Sequence, residues 1–299
     1  MPDCTIIITT KNRVEELRDA LHSCLEQEGE LEVIVVDDGS TDTTSAMVAN
    51  EFPTVRCIRH EQSMGLVASR NEATLAAASD FVFSIDDDAV FVSENTVLRS
   101  LECFKDERVG AVAMPYVNVN ISDHVYHVSP DDGILRATYT FTGTAHAHRK
   151  ELFLRLNGYR PYLFHWGEER DYCLRLMNAG YRVAVGVSEP IQHFTSPKRD
   201  TKFQNVFLYR NQILFASLNA PTLYLPVLWL FATAWSLVDG LKSRMPGVLL
   251  KGLWRGYRDS VRYLSERDAV SASAFKLAML LRKVGLMPMD STYEAANID

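Results

Sequence analysis

The chain has 299 residues, 47% of them hydrophobic, with a formal net charge of -7 and an isoelectric point near 5.7. That content can bury a sizeable core, as one large domain or a domain with an appended subdomain, and the acidic balance lacks the basic footprint of a nucleic-acid binder. Five cysteines (Cys4, Cys24, Cys57, Cys103, Cys173) are odd in number and never spaced Cys-x-x-Cys. They read as reduced core residues of a cytoplasmic protein rather than a disulfide framework or a zinc site. An apolar stretch starts at Cys4 with no basic segment before it, so export through a signal peptide is not expected.

Strand-like and helix-like stretches alternate over the first hundred residues, the pattern of a mostly parallel sheet covered by helices. Residues 4–10 read as an apolar strand, 14–27 as a helix with Val14, Leu17, Leu21, Cys24 and Leu25 at helical spacing, and 31–38 as a second strand. Gly39 and the capping side chains of Ser40, Thr41 and Asp42 introduce a helix to about residue 52. Residues 55–59 form a third strand, and Gly65 opens a helix through 78 that leads into the run 80–85, which ends in Asp86, Asp87 and Asp88. Three βα units thus put Thr10 to Arg13, Asp37 to Ser40 and Asp86 to Asp88 on one rim of the sheet, beyond the carboxyl ends of the strands, where ligands bind in open α/β sheets. Side chains alternate along an extended backbone, so Asp86 and Asp88 point the same way, about 6 to 7 Å apart. Like charges that close call for a cation, and a hard divalent ion that also takes phosphate oxygens suits them. An isolated Asp-x-Asp is more often a solvated turn, because the motif is short and common, and Asp37 and Asp38 are compatible with turn and cap chemistry. Neither a Gly-x-Gly-x-x-Gly fingerprint nor a Walker loop is present.

A helix is expected over 97–104, an apolar strand over 109–119 and a loop over 118–132. Residues 136–148 alternate through Thr138, Thr140, Thr142 and Thr144 as one strand with a polar face. His146 and His148 share a side of it, and without a third ligand they read as solvated or hydrogen-bonded. Trp166 offers a stacking face or a packing surface. Glu168, Glu169 and Asp171 open a helix that Gly180 closes; first-turn acids are favoured there by the helix dipole alone. His193 follows a strand at 182–187, and Lys198 and Arg199 lie in a loop whose two cations could close over an anionic ligand. No charged residue occurs between Arg210 and Asp239, and the apolar run 226–238 is shorter than the roughly 20 residues a spanning helix needs. From 239 to 283 ten Lys or Arg face four acids, a local +6. Apolar helices beside a basic segment suit either peripheral contact of 211–283 with an anionic membrane face or packing on the catalytic domain or a second subunit of a homo-oligomer. Residues 290–299 are expected to fray.

Thr9-Thr10-Lys11-Asn12-Arg13, Val35-Val36-Asp37-Asp38-Gly39-Ser40-Thr41-Asp42, Gly65 with Ser69-Arg70-Asn71, and Ile85-Asp86-Asp87-Asp88 resemble, in order and spacing, the serial motifs of the family 2 glycosyltransferases. Glu168-Glu169-Arg170-Asp171 followed by Leu174-Arg175-Leu176 and Ala179-Gly180-Tyr181 continues the resemblance, which covers about residues 4–215. It implies a GT-A fold, an α/β architecture with a Rossmann-like, mostly parallel sheet, here with a C-terminal helical subdomain. The implied organisation is a catalytic domain over 1–205, with a donor half at 1–115 and an acceptor half at 116–205, then 206–299. The implied reaction is inverting transfer from a nucleotide-diphospho-sugar, assisted by Mn2+ or Mg2+, to a glycan, lipid-linked or other hydroxyl acceptor. By the same resemblance Thr10 and Arg13 contact the nucleotide, Asp38 beside Asp37 the base, and Arg70 the nucleotide or diphosphate. Asp86 lies near the ribose or the metal, Asp88 on the metal, Asp87 in an open register, and His193 near the metal and diphosphate. The general base falls among Glu169, Glu168 and Asp171; the second acidic position is commonly aspartate in the family. The alternatives are a metal-dependent nucleotidyltransferase or pyrophosphohydrolase, which the missing glycine-rich phosphate loop disfavours, and a non-catalytic sugar-nucleotide-binding protein, which has no need of both acidic clusters.

Overall fold

A computed structural model describes residues 1–195 and 201–296. In chain order the first half comprises β1 (Cys4–Thr10), α1 (Val14–Leu25), β2 (Leu31–Asp37), α2 (Thr44–Glu51), β3 (Arg56–Arg59), α3 (Leu66–Ala76), β4 (Phe81–Asp86), β5 (Ala89–Val90), α4 (Thr96–Leu101), β6 (Val109–Ala113), β7 (Tyr116–Asn118), β8 (Val125–Tyr126), β9 (Arg136–Thr138) and β10 (Ala145–Arg149). The second half adds α5 (Lys150–Arg155), α6 (Glu168–Asn178), β11 (Arg182–Val185), β12 (Ile191–His193), α7 (Thr201–Asn219), α8 (Leu225–Lys242), α9 (Pro246–Arg262), α10 (Ala272–Val284), β13 (Met287–Pro288) and α11 (Met289–Ala296).

The main sheet runs β13-β9-β11-β6-β10-β4-β1-β2-β3. Strands β4, β1, β2 and β3 are parallel neighbours, whereas β10 runs antiparallel between β4 and β6. Alternation along the buried strands divides the apolar residues between two layers. Ile6, Ile8, Val33, Val35, Phe83 and Ile85 pack with Leu17, Leu21 and Cys24 of α1 and Met47 and Val48 of α2. Ile7, Ile34, Val36 and Val82 point the other way, onto Ala73 of α3 and Ala77 just beyond it. All five cysteines are free thiols, four of them buried.

Three expectations are corrected. The apolar run 109–119 is two strands in two sheets: β6 belongs to the main sheet, and β7 joins β5, β12 and β8 in a second, four-stranded one. Pro115 stands at the break, where a residue without an N–H cannot continue the ladder. Residues 136–148 likewise divide into β9 and β10, and the segment between them enters the cleft. Of the tail expected to fray, residues 290–296 belong to α11, with Thr292 buried, and follow β13, an edge strand paired with β9; residues 297–299 lie outside the described residues. Helices α7, α8 and α9 pack on one another, while Leu277, Ala278 and Leu281 of α10 share a core with Tyr172, Cys173 and Leu176 of α6.

Helix α6 ends as its sequence requires. The Gly180 N–H donates to the Met177 carbonyl at 3.0 Å and the Tyr181 N–H to the Leu176 carbonyl at 3.2 Å, a Schellman pair that needs the positive φ of +92° at Gly180. No atom would meet a Cβ there, so Gly180→Ala carries backbone strain alone. Urea unfolding is expected to show a loss of about 1 to 2 kcal/mol; an unchanged midpoint would contradict this account of the helix end.

Candidate functional site

Because β1, β2 and β4 are parallel neighbours, their carboxyl ends share one rim, and the loops that follow carry the first acidic cluster. The three consecutive aspartates have different partners. Asp86 accepts from Arg70 Nη2 at 2.6 Å. Asp87 turns inward, accepting from Thr10 Oγ1 at 2.8 Å and Arg13 Nη1 at 2.9 Å, and burial pushes its carboxyl up to about 7. Asp88 shares the same Arg13 nitrogen at 2.7 Å and meets His193 Nε2 at 3.0 Å. Against the upward pull of burial, the hydrogen bonds from His193 and Arg13 hold Asp88 down at about 2.

His193 reaches this point through the second sheet. Strand β12 pairs with β5 so that His193 faces Ala89, and the Phe194 N–H donates to the Asp88 carbonyl at 2.7 Å. On the other side β7 aligns Asn118 with His193, and Asn118 Oδ1 lies 2.7 Å from Nδ1. An amide oxygen can only accept, so Nδ1 donates to Asn118 and Nε2, which donates to Asp88 here, is aimed at the carboxylates, 3.7 Å from Asp86 as well; an ion bound there would take the place of the Nε2 proton. One ligand atom from each of Asp86, Asp88 and His193 lies within 4.8 Å of the others. Two carboxylate oxygens and one imidazole nitrogen suit Mn2+ or Mg2+ with positions left for water and phosphate.

Asp38 also lines the cleft. Its oxygens accept from Ser63 Oγ, His60 and the amides of Met64 (2.7 Å) and Gly65 (3.0 Å), which lower its carboxyl below the ordinary range although burial opposes them. His60 bridges onward to Glu72 at 2.6 Å. Asp37 stands behind this surface, fully buried, accepting from the Ser40 amide at 2.8 Å and from Ser45 Oγ. Its contacts are those of a turn residue.

The second acidic cluster opens onto the same space. Glu168 is 2% exposed at the start of α6, with Oε1 3.6 Å from Arg70 Nη1 and Oε2 buried without a hydrogen-bond partner. Glu169 is more accessible and accepts from the Gly143 amide. Burial raises both carboxyls above the ordinary range; the like charge of Glu169 adds to the rise at Glu168, and Arg70 opposes it at both. Arg70 is the link: 2% exposed on α3, it meets Asp86 on one side and Glu168 on the other. Thr9, Lys11, Leu66, His165, Trp166 and Gln204 complete a cleft of about 510 Å³.

Asp171 is not part of it. The carboxylate is fully buried and accepts from Arg160 Nη1 (2.8 Å), Arg175 Nε (3.0 Å) and Asn219 Nδ2 (2.7 Å). Three donors leave no free face for a substrate proton, which removes it from the candidate bases. His146 and His148 are buried rather than solvated; His146 bonds Tyr159 at 2.9 Å and the Gly143 carbonyl at 3.1 Å. Lys198 and Arg199 lie outside the described residues. Sequence reasoning missed Asn118, His60 and Gly143. A Cβ on Gly143 would fall 2.5 Å from Arg70 Nη1 and 2.9 Å from Glu169 Oε1, so a side chain here would push both charged groups out of place. The glycine inside an alternating threonine run was the available signal.

Breaking the Asp171 cluster strands two cationic side chains, one of them buried. Asp171→Ala is expected to lower the unfolding free energy by about 3 kcal/mol. Loss of turnover with unchanged stability would instead return Asp171 to the chemistry.

Residues 5–167 match the model of the family described as glycosyl transferase family 2. The O-antigen chain rhamnosyltransferase WbaN of Salmonella anatum is 26% identical over 229 residues, covering 69% of this chain and 71% of that protein. Among solved structures, residues 1–349 of S. aureus TarS in complex with UDP-GlcNAc superpose with a TM-score of 0.65 at 17% identity, covering 94% of this chain and 87% of that one. The mannosyltransferase PcManGT from Pyrobaculum calidifontis, in complex with GDP-Man and Mn2+, gives 0.57 at 22% identity over 99% and 86%.

Proposed function

We propose that this chain, which belongs to glycosyl transferase family 2, transfers a sugar from a nucleotide-diphospho-sugar to an acceptor hydroxyl with inversion, in the building of a glycan or cell-surface polysaccharide. It is a glycosyltransferase. The observation that carries it is the convergence of Asp86, Asp88 and His193 with Glu168 and Glu169 on one cleft, joined through Arg70. Donor-bound structures of TarS and PcManGT support the donor class, and the Mn2+ in the latter supports the ion. The alternatives of nucleotidyl transfer and of sugar-nucleotide binding without catalysis leave the second carboxylate pair without a task.

Thr10, Arg13 and Asp38 face the nucleotide in this scheme, and Asp86, Asp88 and His193 hold the divalent ion. Bound there, the ion supplies Lewis-acid neutralisation of the departing diphosphate. Arg70, kept charged beside Asp86 and Glu168, adds fixed positive charge on the same side. Glu169, the more accessible of the pair, takes the proton from the acceptor hydroxyl as its oxygen attacks the anomeric carbon opposite the leaving group. Glu168 positions Arg70. Trp166, 46% exposed at the rim, offers a face on which a sugar ring stacks.

Glu169→Gln is expected to lower kcat by about 10² to 10⁴-fold with donor affinity unchanged. Measured on nucleotide sugars with a saccharide acceptor and Mn2+ or Mg2+, the product carries the anomeric configuration opposite to the donor's. Retained configuration would exclude single displacement, and acceptor-independent release of nucleoside diphosphate at full rate would favour a hydrolase. The base must be ionised to work, and burial raises its pKa. Activity therefore falls, as pH is lowered, at a point above the 4.5 of an ordinary glutamate. A kcat/KM profile flat down to that value would contradict the assignment.

A further inference from the structure

Helix α8 is apolar around most of its circumference and leaves much of that surface exposed. The side turned to the protein packs Leu228 on the core shared by α6 and α10 and is otherwise held by polar and small-residue contacts: Trp229 Nε1 donates to Ser217 Oγ at 2.8 Å, Thr233 Oγ1 lies 2.6 Å from Tyr257 Oη, Ser236 is buried, and Gly240 touches Leu249. The side turned outward carries Leu230 (71% exposed), Phe231 (68%), Val238 (53%) and Leu241 (71%), with Leu223 (85%) just before the helix. A water-facing helix shows the opposite arrangement. Helix α9 continues the surface with exposed Leu250, Trp254 and Val261, interleaved with Lys251, Arg258 and Arg262. A contiguous apolar surface rimmed by charge marks an interaction site.

The charge says what covers it. A second cavity, of about 610 Å³, lies between the first turns of α7 and α9. Lys202, Arg244, Lys251 and Arg255 line it, together with Val206, Phe207, Met245, Pro246 and Val248, and no acid does. These four cations have no carboxylate partner within 4 Å among the described residues, whereas Asp259 of α9 is buried against Arg210 and Arg258. A second copy docking face to face would oppose one cationic rim with another. An anionic bilayer complements both parts, with headgroup phosphates on the basic rim and acyl chains against the leucines and aromatics.

We propose that the outer face of α8 and α9 binds an anionic phospholipid bilayer in its plane, with the basic cavity holding a headgroup phosphate. Although the stretch Thr222–Lys242, at 21 residues, is long and apolar enough to cross a bilayer, contrary to the expectation from the run 226–238, it lies along the surface because Trp229, Thr233, Ser236 and Gly240 keep one side on the protein. This narrows the contact expected from sequence over 211–283: Ile213 and Leu214 of α7 are buried, and α10 packs on α6. The N-terminal turns of α7 stand between the two cavities, with Gln204 in the catalytic cleft and Lys202, Val206 and Phe207 in the basic one. Bilayer binding therefore brings the cleft to a surface from which a lipid-linked acceptor is drawn; that last consequence alone rests on the glycosyl-transfer reading.

The test is co-sedimentation of the full chain with phosphatidylcholine vesicles, with and without phosphatidylglycerol, at low and high salt. The chain is expected to sediment with the anionic vesicles and to be released by salt. Lys251→Glu with Arg255→Glu is expected to weaken binding at least tenfold, since each cation near the surface contributes roughly fivefold. Leu230→Asp with Phe231→Asp, both at exposed positions, is expected to abolish it at an unchanged melting temperature. A wild-type chain left in the supernatant at low salt, or variants that bind like wild type, would overturn the proposal. So would a dimer in sedimentation velocity that the Leu230 and Phe231 substitutions dissolve, because the face would then belong to self-association. Vesicle binding is read without turnover, so it stands or falls apart from the catalytic assignment.

Discussion

One buried cation ties the molecule's chemistry together. Arg70 sits inside the protein with Asp86 at 2.6 Å and Glu168 at 3.6 Å, on opposite sides of its guanidinium. Removing one member of a buried ion pair costs about 3 to 5 kcal/mol, so neither carboxylate is easily moved or lost on its own. The arrangement couples the rim of the first three βα units to the start of α6, which the chain reaches about eighty residues later. It also explains Gly143, whose bare backbone closes over Arg70 and donates to Glu169. In the proposed transfer the same cation serves two ends of the reaction, the leaving diphosphate and the carboxylates that face the acceptor.

The sequence disclosed most where periodicity and position agree. Period-two strands and 3.6-period helices in the first hundred residues located the rim, and with it Thr10, Arg13, Asp38 and the three aspartates. It disclosed less where one local pattern serves two purposes. Alternation continues through 109–119 and 136–148 although the chain changes sheet at Pro115 and leaves the sheet before Gly143; a pattern of side-chain faces carries no information about which sheet a strand joins. Asp171 and Glu169 are both first-turn acids of α6, and only tertiary partners separate them. Asn219, which fixes Asp171, lies 48 positions further on. Asn118 meets His193 only through the pairing of β7 with β12, a register that no local pattern reports.

The C-terminal third combines two structural roles. Helix α10, β13 and α11 return to the catalytic core, where Arg182 Nε meets Thr292 Oγ1 at 2.9 Å and β13 extends the main sheet. Helices α8 and α9 cover α7 with a side rich in small and polar contacts and turn outward a side that is apolar and basic. This arrangement is why composition alone read this region as either a subdomain or a membrane contact: both halves of that reading are present, on opposite faces of the same helices.

Diffraction at the manganese edge from crystals grown with Mn2+ and a nucleoside diphosphate tests the central claim most directly. The account predicts anomalous density bounded by Asp86, Asp88 and His193 and touching the diphosphate, with Glu169 facing the space the sugar occupies in the same cleft. Density at another surface, or a diphosphate whose cleft does not include Glu168 and Glu169, would contradict it.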